Sequence, residues 1–236
     1  MTRRYTWIAL ACAALMSACG GGGGDSGVSP FIPPTSDFNP LVGWQNLLGT
    51  GGIWTVSGTG SDGLAYSATL RYAPAAPAIF PVTNTSYDLS ILTSTLTQAG
   101  VPQGPGTVEF FHAADFRLQG ARITPTSGPV VCSKTTASEL PPSTAKVFAS
   151  GPLVSLDDLK GCLPGAQVEG TTTANWSIDF ERGFVLLCLN SVARDATSQV
   201  IGSESDCFQM AEDGTLDSKA RVTILKPNFT LVMKNF

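Results

Sequence analysis

Asn175-Trp176-Ser177-Ile178-Asp179-Phe180-Glu181, then Arg182-Gly183, then Phe184-Val185-Leu186-Leu187-Cys188-Leu189: this stretch decides how the chain reads. Trp176, Ile178 and Phe180 alternate with Asn175, Ser177, Asp179 and Glu181, the period-two pattern of a strand with one apolar and one wet face. Glu181-Arg182-Gly183 supplies a turn, and 184–189, apolar on both faces, reads as a central strand. Working outward, Leu64, Tyr66, Ala68, Leu70 and Tyr72 share one face while Ser67, Thr69 and Arg71 take the other. Lys226-Pro227-Asn228 separates the runs 220–225 and 229–234 and signals a hairpin with a short loop. Runs at 53–57, 107–112 and 116–123 add further strands. The expectation is an all-β chain, mainly antiparallel, folded as a β-sandwich or flattened barrel with little helix.

Two segments resist that pattern. Residues 86–100 place Leu89, Leu92, Leu96 and Ala99 at helical spacing with Gly100 as a stop. Thr93, Thr95 and Thr97 oppose a helix, because β-branched side chains lose rotamer freedom there. Ser155-Leu156-Asp157-Asp158-Leu159-Lys160-Gly161 reads as a single capped turn, with Ser at its start, acids in its first turn and Gly at its close. Asp62-Gly63 and Asp213-Gly214 each precede a strand-like run, which hints at two related halves meeting near 135–145.

The N-terminus carries an address. Arg3 and Arg4 precede an apolar run from Trp7 to Met16, and Ser17-Ala18 lead to Cys19. The run is too short to span a bilayer, which needs ~20 apolar residues, and it has the parts of a secretory signal. Met16-Ser17-Ala18-Cys19 resembles the lipobox of bacterial lipoproteins, with Met where Leu is commoner. The resemblance implies cleavage before Cys19, acylation of that cysteine, and anchoring in the cell envelope by lipid. Gly rather than Asp at position 20 implies transfer to the outer membrane. Gly20 to Gly24, Asp25-Ser26-Gly27 and then Pro30, Pro33 and Pro34 suit a flexible tether with a stiffer far end. The expected organisation is a signal over 1–18, a lipidated Cys19 and tether over 19–37, and a β domain over 38–236.

Cleavage would leave 218 of the 236 residues, with 12 basic residues against 18 acidic once Arg3 and Arg4 are gone. Nucleic acid is an unsuitable partner for so acidic a chain, because such binding rests on Lys and Arg neutralising phosphates. An electrostatic hold on anionic lipid is equally unsuited, so acyl chains would do the anchoring. Cys132, Cys162, Cys188 and Cys207 remain, an even count that reads in an exported chain as two disulfides with three connectivities. Cys132–Cys162 and Cys188–Cys207 are favoured because each closes a short segment rich in Gly, Pro, Ser and Thr. Closing loops of ~20–31 residues is worth roughly 3–4 kcal/mol each in the chain-entropy account. A metal site is disfavoured, since the Cys-x-x-Cys and His-x-His pairings are missing.

Catalytic signals are sparse. His112 is the single histidine, so a Ser-His or Cys-His scheme must pass through it. It closes the apolar run Val108-Glu109-Phe110-Phe111-His112 without a Gly-x-Ser-x-Gly elbow, and reads as a hydrogen-bonded strand-end residue. Glu109 with Asp115, or Asp179 with Glu181, would serve glycoside hydrolysis only if brought about 5–10 Å apart in a cleft. Glu204, Asp206, Glu212, Asp213 and Asp217 form the densest acidic region, expected as a solvated loop because their spacing does not match a calcium loop. Trp44, Trp54, Trp176, Tyr66, Tyr72 and Tyr87 suit a core better than a sugar platform. The glycines at 20–24 do not join a strand to a helix and lack a following Lys, so no phosphate cofactor is implied. Terminal Phe236 resembles the aromatic end of outer-membrane barrels, but Lys234 stands where those favour an apolar residue.

The sequence thus points to an outer-membrane lipoprotein with an extracytoplasmic β domain, a binding or structural module rather than an enzyme. Its partners are the membrane, through lipid, and a protein or glycan ligand, with neither metal nor cofactor. The alternative is an extracytoplasmic hydrolase acting through carboxylates.

Overall fold

The computed structural model describes residues 32–236, so the signal segment, Cys19 and residues 20–31 of the expected tether lie outside the described residues. Phe38 is the first paired residue, exchanging two backbone hydrogen bonds of 2.9 Å with Ala145. A helix follows at once: α1, Pro40–Gly49. Asn39 caps it by accepting a hydrogen bond from the Val42 N–H, and Pro40 sits where a missing N–H costs nothing. Pro40, Gly43, Trp44, Leu47 and Leu48 form one buried stripe at helical spacing.

Twelve strands come next among the described residues: β1 (Gly52–Gly60), β2 (Ala65–Phe80), β3 (Thr85–Gln98), β4 (Val101–His112), β5 (Leu118–Thr124), β6 (Val131–Ser138), β7 (Ser150–Leu159), β8 (Val168–Glu181), β9 (Phe184–Asp195), β10 (Val200–Met210), β11 (Leu216–Lys226) and β12 (Phe229–Lys234). Each pairs antiparallel with its neighbours in sequence, and β12 returns to β1, so the sheet closes into one up-and-down barrel. Closure removes both sheet edges and with them the rows of unpaired backbone groups an open sheet would expose. The seam is short, running from Ser57 opposite Lys234 to Gly60 opposite Leu231. Gly58 is required there, because a β-carbon would run into the Val232 carbonyl.

Alternation explains the barrel's inside and outside. Trp54 and Val56 of β1, then Tyr66, Ala68, Leu70 and Tyr72 of β2, are buried and belong to one core. Thr55 and Arg71, on the opposite face of the same strands, are exposed. The same holds on β8, where Trp176 and Ile178 are buried. The expected hairpins at Glu181-Arg182-Gly183 and Lys226-Pro227-Asn228 are present.

Two expectations about secondary structure need correction. The helix entertained over 86–100 is β3: Leu92, Ser94 and Leu96 line the barrel, while Leu89 packs outside with Phe80 and Phe111. The β-branched threonines prevailed over helical spacing, since the pairings with β2 and β4 engage most of the backbone. Of the capped turn over 155–161, the residues up to Leu159 are the end of β7, and the chain bends only at Lys160 and Gly161, the latter with φ +95°. The helix that does form, α1, carries two legible signals, Asn39-Pro40 at its start and apolar spacing after it.

Both disulfides have the favoured connectivity, Cys132–Cys162 and Cys188–Cys207. Cys188 and Cys207 stand directly opposite on β9 and β10, with Cα atoms 4.0 Å apart. They face outward with Leu186, under the rings of Phe184 and Phe236. Arg221 lies over them and donates to Asp179 Oδ2 at 2.6 Å and Glu181 Oε2 at 2.8 Å, while Lys234 donates to Glu181 Oε1 at 2.9 Å. Asp62-Gly63 and Asp213-Gly214 are alike as turns. Each Asp accepts from the backbone N–H two residues on, and each Gly has positive φ.

Candidate ligand cavity

The barrel is filled at one end and hollow at the other. At the filled end α1 lies across the opening, tied down by side-chain hydrogen bonds to three turns and strands. Trp44 Nε1 donates to the Phe116 carbonyl at 3.1 Å, and Asn46 Nδ2 donates to the Gly214 carbonyl at 3.1 Å. Gly214, with φ +89°, must be glycine: a β-carbon would meet the Asn39 carbonyl and the Val42 side chain. Beneath the helix, Trp54 packs on Phe208 with ring centroids 4.5 Å apart, and Tyr72 stacks on Phe110 at 6.2 Å.

His112 belongs to this plug. Its Nε2 lies 3.0 Å from Ser90 Oγ, and its Nδ1 lies 3.0 Å from the Ala113 carbonyl. The structure thus brings a serine to the single histidine, which the sequence did not suggest. Ser90 is fully buried, however, and its hydroxyl donates to the Leu48 carbonyl at 2.8 Å, one of the helix's last unpaired acceptors. The pair anchors the helix end, with the His112 ring stacked on Phe116 at 5.1 Å. The carboxylates singled out earlier are also engaged: Glu109 with Arg122, Asp115 with Arg117, and Asp179 and Glu181 with Arg221. Asp179 lies close to Cys188 and Cys207, but those sulfurs are bonded to each other and have no thiolate to offer a metal.

Beyond the plug, a cavity of about 270 Å³ occupies the barrel interior and reaches the opposite rim at Gln103, Thr124 and Lys226. Its wall is mostly aliphatic, with Leu70, Leu92, Leu96, Val108, Ile123, Leu156, Ala174 and Ile224. Ligand cavities commonly span ~300–1,000 Å³, so this one falls just below that range and suits a small occupant. The hairpins of that rim carry exposed aliphatic residues, among them Leu64, Val101, Val130, Leu163, Val168 and Val200.

Charge enters this wall from β10. Glu204 and Asp206, expected in a solvated loop, lie on the strand face that carries Phe208 inward; only Glu212, Asp213 and Asp217 lie in or beside the β10–β11 turn. The signal was present: Glu204, Asp206, Phe208 and Met210 alternate, and the apolar end of that row fixes its direction. Asp206 is buried, and its Oδ1 has no hydrogen-bond partner. Burial, reinforced by the neighbouring Glu204 charge, holds its carboxyl well above the usual carboxylate range. Burial raises Glu204 as well, against the opposing pull of Lys226. Asp158 of β7, bonded to the lining residues Ser133 and Thr172 but not itself in the wall, is raised by burial even though they donate to it at 2.6 and 2.7 Å. Tyr72 is pushed well above its ordinary value by burial and by Asp206 and Glu204, so its phenol stays protonated.

Fold and cavity together define a closed antiparallel barrel, plugged at one end by its own helix, with an apolar chamber holding the buried Asp206 and the half-buried Glu204. No protein-family profile matches the chain, and comparison with curated proteins and with solved structures gave no match.

Proposed function

We propose that this chain is an exported, lipid-anchored binding protein that holds a small apolar molecule inside its barrel. The observation that carries the reading is the chamber itself. The sequence has aromatic residues enough to fill the plugged half, yet the other half is left lined by aliphatic side chains around open space. Natural interiors pack to crystal-like density, so a void of this size inside a regular barrel calls for an occupant. The aliphatic rim gives that occupant an apolar route in. Alternation supports a barrel surrounded by water, since a membrane-spanning barrel turns its apolar face outward and this one turns it inward. Met16-Ser17-Ala18-Cys19 supports the anchor, in the outer membrane by the residue that follows.

Two experiments test the reading. N-phenylnaphthylamine, a neutral fluorophore that brightens in apolar surroundings, should bind the full chain, and Ala174→Phe, which fills the chamber, should abolish the signal while leaving the circular dichroism unchanged. Absence of binding by the wild type, or undiminished binding by the variant, ends the proposal. For the anchor, a fatty-acid analogue should label the wild type and spare Cys19→Ser; equal labelling of both would sink it.

A further inference from the structure

We propose that the chamber selects an apolar molecule bearing a cationic head, a protonated amine, seated on Asp206 with Glu204 beside it. The inference rests on the binding reading above and specifies the ligand's chemistry. Asp206 and Glu204 are two residues apart on one strand, so their side chains point the same way into the chamber. Asp206 stands opposite Leu189 and Val222, which offer no polar group, and its Oδ1 is an acceptor kept from water with nothing to accept from. A buried acceptor in that state costs free energy, and a ligand that donates to it recovers the loss.

Charge selects the kind of donor. The acids lining the chamber, Asp206 and Glu204, both come from β10, Asp158 of β7 is bonded to the lining residues Ser133 and Thr172, and Lys226 of β11 is the basic residue of the lining. Asp158 already accepts from Ser133 and Thr172, which leaves Asp206 as the open acceptor. A carboxylate-headed ligand gains no opposite charge from these acids, and either of them that ionises repels it. A neutral alcohol would satisfy Oδ1 without changing its charge. An alkylammonium does both tasks, donating to Oδ1 and drawing the carboxyl into its ionised form. A carboxyl that burial holds protonated gives its proton to solvent as the ion pair forms, so seating the ammonium releases acid. The apolar wall then takes the alkyl portion.

Displacement of N-phenylnaphthylamine from the full chain by decylamine, decanol and decanoate tests this directly. Decylamine should bind at least ~10-fold more tightly than decanoate, the scale of one charge-assisted hydrogen bond. Asp206→Asn should erase most of that preference. Calorimetry in buffers of different ionisation enthalpy should show proton release with decylamine and none with decanol. If Asp206→Asn does not fold, Glu204→Gln and the wild-type calorimetry carry the same test. Equal affinity for the three ligands, or no proton release with the amine, overturns the cationic head and leaves the apolar chamber standing. Failure of the fluorophore itself to bind overturns both readings.

Discussion

The plugged and hollow halves of the barrel are built from the same twelve strands, yet they spend those strands differently. In the plugged half Trp44, Trp54, Phe208 and Leu48 are packed and their polar atoms answered: Trp54 Nε1 donates to the Asp217 carbonyl at 2.6 Å, and Ser90 takes up the Leu48 carbonyl. In the hollow half aliphatic residues face space, and Asp206 keeps an acceptor with no partner. Stability is concentrated in the first, and the second retains what a well-packed core would have eliminated. Groups left unsatisfied in a native structure mark sites where another requirement outweighs stability.

The comparison breaks first, and by most, at the helix. Trp44→Ala should cost about 3–5 kcal/mol, since it removes a buried aromatic and one anchor to Phe116. A urea midpoint within error of wild type would show that the helix does not hold the plugged end.

Next comes Asp206→Asn, with the opposite sign. An acid whose folded-state pKa is raised stabilises the fold fully below its unfolded pKa, and that contribution is lost as pH rises toward the folded value. Asp206, Glu204 and Asp158 all act this way. Glu181, held below its ordinary value by Lys234 and Arg221 against the effect of burial, acts in reverse, losing stability as pH falls. As pH rises above ~4, the ordinary carboxyl value, Asp206→Asn should therefore gain stability over wild type, by about 1–3 kcal/mol. Parallel pH profiles for the two proteins would refute the buried-acid account.

His112→Gln should cost less, about 1 kcal/mol, because Gln can still bond Ser90 and only the stacking on Phe116 is lost. A loss beyond ~3 kcal/mol would mean that the histidine holds more of the plug than one hydrogen bond implies. The smallest effect on stability is expected from Ala174→Phe in the hollow half. Open space accepts the ring, so the change should stay within ~1 kcal/mol, against the ~1–3 kcal/mol typical of overpacking a dense core. A larger penalty would mean that the chamber is not the roomy half.

Much of the strand content was legible because period-two alternation is local. Trp176, Ile178 and Phe180 declare their face without reference to any partner, and so do Tyr66, Ala68, Leu70 and Tyr72. The cysteine pairing was legible for a related reason, as each bridge closes a short loop. Glu204 and Asp206 were misread because acidic composition outweighed alternation, although Phe208 and Met210 continue their row inward. The plug helix, ten residues before twelve strands among the described residues, carries its own cap in Asn39, a local signal weaker than the strand patterns around it.

Taken alone, the sequence determined an antiparallel β chain, the faces of its strands, its hairpin turns and its two disulfides, all of which follow from near neighbours. Only the tertiary structure decided that the sheet closes, that α1 fills one end, and that two acids share an apolar chamber. Those outcomes depend on β1 meeting β12 across nearly the whole chain, and on the space left once twelve strands have curved around one helix. Neither the pairing of distant strands nor the volume they enclose is encoded in any local pattern.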